Sequence, residues 1–83
     1  MTRDDVLTVV NAKAVELIPG YEATPEGTAR SFVQYGASSL DVVELVSVVM
    51  RELRLKVPRT DLADIVSVDD LATVLLSCSK RPE

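Results

Sequence analysis

The chain has 83 residues, enough for one domain with a single small core, and a net charge of −4. That acidity argues against non-specific nucleic-acid binding; the absence of histidine removes a zinc site and any histidine-based triad, and one cysteine, Cys78, allows neither an intramolecular disulfide nor a cysteine metal cluster. Apolar residues make up 47% but only Tyr21, Phe32 and Tyr35 are aromatic, so the core must be aliphatic, and no run approaches the about 18 apolar residues of a membrane span.

The start, "MTRDDVLTVV", is broken by acids before any apolar region, unlike a signal peptide. The expectation is one cytoplasmic domain over residues 1–83, with 79–83 as a frayed tail. The first helix is expected over about 3–18. Thr2 with Asp5 resembles a capping box, and Val6, Val10, Ala14 and Leu17 recur at helical spacing, widened by Leu7 and Ile18. Pro19-Gly20 ends it. Residues 20–38 hold three glycines and Pro25 and read as a long connection, pinned to the core by Phe32, Val33 and Tyr35.

A second main helix is expected over about 39–54, despite its valines. Asp41, Glu44, Ser47, Arg51 and Arg54 are three, three, four and three residues apart, a helical period and not an alternation. Ser38 or Ser39 supplies its N-cap. Pro58 breaks the chain, a short helix follows over about 60–65 with Thr60 as cap, and a third main helix over about 67–78 opens with Ser67 and Asp70. Val68, Leu71, Val74, Leu75 and Cys78 share a face there, so Cys78 reads as a small buried hydrophobe. The fold class is all-α: a small four-helix bundle of three main helices and one short one, with a long first loop.

On a helical wheel the polar residues of the second helix span an arc of about 140°. Leu45, Val49, Leu53 and Val42 lie opposite and read as core. Leu40, Val43 and Met50 fall in or beside the polar arc, as single exposed apolar residues or as a docking strip with Glu44, Ser47 and Arg51. The stretch "RELRLKVPR", residues 51–59, carries a local +3, leaving −7 elsewhere. Arg51, Arg54, Lys56 and Arg59 either answer the negative end of the helix dipole or form a basic patch that selects an acidic partner.

"YGASSLDVVELVSVVMRELRLKVPRTDLADIVSVDDLATVL" resembles the acyl carrier protein family. Gly36, two intervening residues and then Ser39-Leu40 match the family's signature at the second helix. Asp41, Val43, Glu44, Leu45, Pro58, Ile65 and "SVDDL" extend the match without gaps to Leu75, roughly half the chain. The resemblance implies that Ser39 accepts a phosphopantetheine arm, delivered from coenzyme A by a phosphopantetheinyl transferase, whose thiol carries acyl groups as thioesters. It further implies a non-catalytic carrier, monomeric when free, that is a substrate of partner enzymes and binds neither nucleic acid nor membrane. The docking strip would comprise Leu40, Val43, Glu44, Ser47, Met50, Arg51, Arg54, Lys56 and Arg59.

Three departures narrow the expectation. Ser38 stands where the family usually has aspartate, the histidine common in peptidyl carriers is missing, and Met50, Arg51, Lys56 and Arg59 occupy places that are often acidic in fatty-acid carriers. "GASSLDVVELVSVVMRELRLKVPR" is similar to discrete donor carriers of polyketide β-branching cassettes. Such a carrier delivers acetyl, or a similar short acyl group, to an enzyme resembling hydroxymethylglutaryl-CoA synthase. The competing readings are a general fatty-acid or other polyketide carrier, which would meet a ketosynthase or acyltransferase, and an unmodified helical adaptor using the same strip. A helix-turn-helix DNA binder around "RELRLKVPRTDLADI" is disfavoured by net acidity and by Pro58.

Overall fold

The computed structural model describes residues 2–79. Five helices follow in order: α1 (Arg3–Leu17), α2 (Pro25–Ala29), α3 (Ser39–Leu53), α4 (Arg59–Leu62) and α5 (Val68–Ser79). The three long ones form the expected small bundle, in which α1 packs against both α3 and α5. Of the tail expected at 79–83, Ser79 is the last residue of α5, and residues 80–83 lie outside the described residues.

α1 begins with the capping box its sequence suggests. Thr2 Oγ1 accepts from the Asp5 amide at 3.2 Å, and the Thr2 amide donates to the Asp5 carboxylate at 3.0 Å. These bonds hold the Asp5 carboxyl below the usual carboxylate range, the Thr2 backbone contact contributing most. Arg3, the first helical residue, donates to Thr73 Oγ1 at 3.0 Å and to the Asp69 carbonyl at 3.2 Å, fastening α1 to α5.

The core is aliphatic, as the composition requires. Val6, Val10, Ala14 and Ile18 from the α1 segment meet Leu45, Val46 and Val49 from α3 and Val68, Leu71, Ala72 and Leu75 from α5. Each fully buried valine or leucine of this set contributes about 1.5–3 kcal/mol relative to an exposed one. Val42 and Leu53 are half-buried against this core, and Cys78 packs at its edge.

The first connection departs from expectation by holding a helix of its own. Thr24 caps α2 through the Gly27 amide at 3.0 Å, and Pro25 occupies the first helical position, where its missing N–H costs nothing. Five residues are too few to show a hydrophobic period, so only the Thr-Pro-Glu start could have revealed it. A Cβ on Gly27 would lie 1.9 Å from the Glu22 carbonyl oxygen, so this close approach of backbone requires glycine. The Tyr21 and Tyr35 rings lie 5.2 Å apart and tilted, with the Arg30 guanidinium 5.3 Å from the centre of the Tyr35 ring. The Tyr35 hydroxyl donates to the Gly27 carbonyl at 2.8 Å, and the Tyr21 hydroxyl donates to Asn11. Burial, then the neighbouring Tyr35, pushes the Tyr21 phenol well above its ordinary range.

Two further expectations are corrected. Of the three expected anchors, Phe32 is buried and Tyr35 packs half-buried against the core, but Val33 is 81% exposed at the tip of a turn. The short helix is α4 at Arg59–Leu62, earlier than the expected 60–65, with Pro58 at the cap position and no side-chain cap from Thr60. Ile65 is buried all the same, three residues past that helix.

Candidate functional site

The cap of α3 separates the two adjacent serines. Ser38 is the N-cap, extended at φ −82° and ψ 169°. Its Oγ accepts from the Asp41 amide at 3.2 Å, and its own amide donates to the Asp41 carboxylate at 2.9 Å. Ser39 is the first helical residue. It is exposed, and its hydroxyl has no hydrogen-bond partner among the described residues. Gly36, at φ 77°, takes the left-handed turn that leads into this cap, a conformation that a Cβ would strain.

Beside Ser39 lies a cleft of about 290 Å³. Buried Phe32, Val46 and Ile65 form its depth, and the rim carries exposed Val33, Val43 and Val66 with Ser38 and Ser39 at one end. The loop before α3 is tied to the loop before α5 across this cleft. The Phe32 amide donates to the Val66 carbonyl at 2.8 Å, and Ser31 and Ser67 form an isolated antiparallel bridge. Ser67 Oγ accepts from the Asp70 amide at 3.3 Å, while the Asp70 carboxylate accepts from the Val66 amide at 3.0 Å, so the start of α5 steadies the same rim.

The strip expected on α3 is only partly a surface. Leu40 is 79% exposed and Val43 51% exposed, both next to Ser39 along the outward face of α3. Glu44, Arg51, Arg54 and Lys56 are exposed, and Ser47 is half-buried. Met50 is turned inward: it packs against the core, and its sulfur accepts from the Val57 amide at 3.1 Å. Arg59 starts α4, and its side chain lies outside what is described. Arg54 ends α3 in the left-handed conformation at φ 56°. Val33 and Val66 extend the exposed apolar rim beyond helix α3; periodicity could not find them, because both sit in irregular segments.

A second, larger cleft of about 410 Å³ lies between α1, α2 and the start of α5, lined by Asp4, Thr8, Asn11, Thr24, Thr28 and Asp69 among others. The Thr8 and Thr28 hydroxyls donate to the carbonyls of Asp4 and Pro25. Among the described residues no cluster of acids, cysteine or histidine could hold a metal, and no helix is long and apolar enough to cross a membrane.

The sequence profile described as "Phosphopantetheine attachment site" matches residues 14–75. The polyketide biosynthesis acyl-carrier-protein AcpK of Bacillus subtilis (strain 168) is 31% identical over 78 residues, covering 90% of this chain and 92% of that protein. Acyl carrier protein 3, chloroplastic, of Hordeum vulgare is 36% identical over 67 residues, covering 76% of this chain and 51% of that longer protein. No solved structure matches significantly. The chain belongs to the acyl carrier protein family. Membership implies a covalent phosphopantetheine group, a transferase that attaches it and acyl-handling enzymes that use it; members are carriers and not catalysts.

The residues fit such a group. A phosphodiester needs a hydroxyl open to a foreign active site and gains from the positive end of a helix dipole and its free amides. The start of α3 offers both, and Asp41, the one acid in its first turn, is engaged by the Ser38 amide.

Proposed function

We propose that Ser39 bears the phosphopantetheine and that the protein is a polyketide carrier that donates acetyl, or a similar short acyl group, to a β-branching enzyme resembling hydroxymethylglutaryl-CoA synthase. The observation that carries the attachment is the Ser39 hydroxyl, exposed and unbonded at the first position of α3 while its neighbour Ser38 is engaged as the cap. When bound, the group supplies a thiol that holds the acyl cargo as a thioester. The protein's own residues present the arm and the surface around it. Leu40 and Val43 beside Ser39, with Val33 and Val66 across the cleft, give partner enzymes an apolar contact area.

The polyketide setting is supported by the likeness to AcpK, which covers nearly the whole of both chains. The choice of partner is supported by Arg51, Arg54 and Lys56, exposed at the far end of α3 from Ser39, where they would meet an acidic surface.

Intact mass measurement after incubation with coenzyme A and a phosphopantetheinyl transferase is expected to show one added arm, and Ser39→Ala to show none. An arm retained in that variant refutes the attachment site. Failure of several transferases to modify the natural chain favours the unmodified adaptor. The acetylated carrier is then offered to a hydroxymethylglutaryl-type synthase and to a fatty-acid condensing enzyme; transfer only to the latter overturns the β-branching role.

A further inference from the structure

Ser38 and Ser39 are adjacent, exposed and chemically identical, yet the structure treats them differently. The Ser38 oxygen receives the Asp41 amide at 3.2 Å and is drawn against the end of the helix. The Asp41 carboxylate returns to the Ser38 amide at 2.9 Å, closing a reciprocal pair around the first turn. Ser39 sits inside that pair and, among the described residues, bonds to nothing through its side chain. Resting on the assignment of the arm to Ser39, we propose that Ser38 and Asp41 are positioning residues for the modification. They hold the first turn of α3 so that the Ser39 hydroxyl is presented ready to react, and they occupy the competing hydroxyl of Ser38.

The reaction defines what must be positioned. The Ser39 Oγ forms a bond to the phosphorus of coenzyme A that bears the pantetheine. The P–O bond from that phosphorus to the bridging oxygen breaks, adenosine 3′,5′-bisphosphate leaves with the electron pair, and the Oγ proton passes to a base of the transferase. A nucleophile in such a displacement must lie in line with the departing group, and a misplacement of about 1 Å can cost up to about 100-fold. An uncapped helix start frays, spreading the hydroxyl over many orientations. Serine is a strong N-cap acceptor that carries no charge, so Ser38 fixes the first turn without placing a negative charge beside the incoming phosphate.

The test compares Ser38→Ala with Ser38→Asn, since asparagine caps as well as serine but has no hydroxyl. Loading is followed by intact mass at varied carrier concentration, the site is mapped by peptide mass spectrometry, and protection of the Asp41 amide is followed by hydrogen exchange. Ser38→Ala is expected to lower kcat for loading about fivefold with little change in KM and to lose Asp41 protection, and Ser38→Asn to restore both. A wild-type kcat in Ser38→Ala overturns the proposal, as does a change confined to KM, which would place Ser38 in the docking surface. A Ser38→Asn chain as slow as the alanine variant also overturns it, because the cap would then not be what matters. Should the alanine variant lose helix by circular dichroism, Asp41→Ala, which keeps the Ser38 cap but removes the returning carboxylate, is read instead: a lowered kcat with unchanged KM supports the proposal and a wild-type kcat overturns it. An arm mapped elsewhere than Ser39 defeats the attachment reading itself, a distinct result.

Discussion

α1 and α3 are both 15 residues long and both open with a hydroxyl residue and an aspartate in a reciprocal capping box, Thr2 with Asp5 and Ser38 with Asp41. They differ in the residue next to the cap. In α1 the first helical residue is Arg3, which reaches to Thr73 and Asp69 and is used up in holding α5. In α3 it is Ser39, which holds nothing among the described residues. The apolar residues left in solvent sit differently: Leu40 and Val43 lie within about one turn of Ser39 at the start of α3, whereas exposed Val15 lies near the other end of α1. The same local device thus opens one helix whose first residue is tied to the fold and another whose first residue is exposed. A local motif alone does not separate structure from function; the contacts of the next side chain do.

The two faces of α3 give the largest expected contrast. Leu45→Ala empties a fully buried site and is expected to cost about 2–5 kcal/mol in urea unfolding, while Leu40→Ala, at an exposed site, is expected to cost less than about 0.5 kcal/mol. Equal losses would mean that Leu40 is part of the core and not of a contact surface.

The two caps come next. Thr2→Ala and Ser38→Ala are each expected to lower stability by about 1 kcal/mol in thermal unfolding, yet only the second should slow attachment of the arm. Loading slowed equally by both would break the distinction between α1 and α3. Loss of the α1 cap also has a pH signature. The Asp5 carboxyl is held low in the folded chain, so the stability it contributes is present above the ordinary aspartate range and lost as pH falls through its folded value. The difference between the natural chain and Asp5→Ala should therefore shrink in acid.

The smallest expected effect lies at the other end of α3. Arg54 adopts a left-handed backbone at φ 56°, a conformation that disfavours a side chain by about 1–2 kcal/mol. Arg54→Gly is expected to raise stability by about 0.5–1 kcal/mol, part of the relief being offset by the greater freedom of glycine in the unfolded chain. If partner transfer falls in that variant while stability rises, Arg54 is retained for contact at a cost to the fold.

Most of the bundle was legible in the residues. The polar series Asp41, Glu44, Ser47, Arg51 and Arg54 marked α3 as a helix against its many valines, and Thr2 and Ser67 marked the starts of α1 and α5 within a residue. α2 was not legible, because a five-residue helix has no period to read and its stability comes from packing. Val33 was misplaced because its apolar character says nothing of direction in a turn, where a hydrogen bond from the Phe32 amide to Val66 turned Phe32 and not Val33 inward. Met50 read as surface on the wheel because the loop at 54–58 folds back beneath it, a contact seven residues along the chain that helical geometry cannot supply.

By itself the sequence determined that this chain is an aliphatic helical bundle with a Gly-x-x-Ser-Leu element at the start of its central helix. Those features come from local rules: spacing, caps and breakers act within one or two turns. Only the tertiary structure decided which apolar residues meet water, and that irregular Val33 and Val66 share a rim with Ser39. Those depend on how distant segments pack, where a single backbone bond between Phe32 and Val66 can set the direction of several side chains at once.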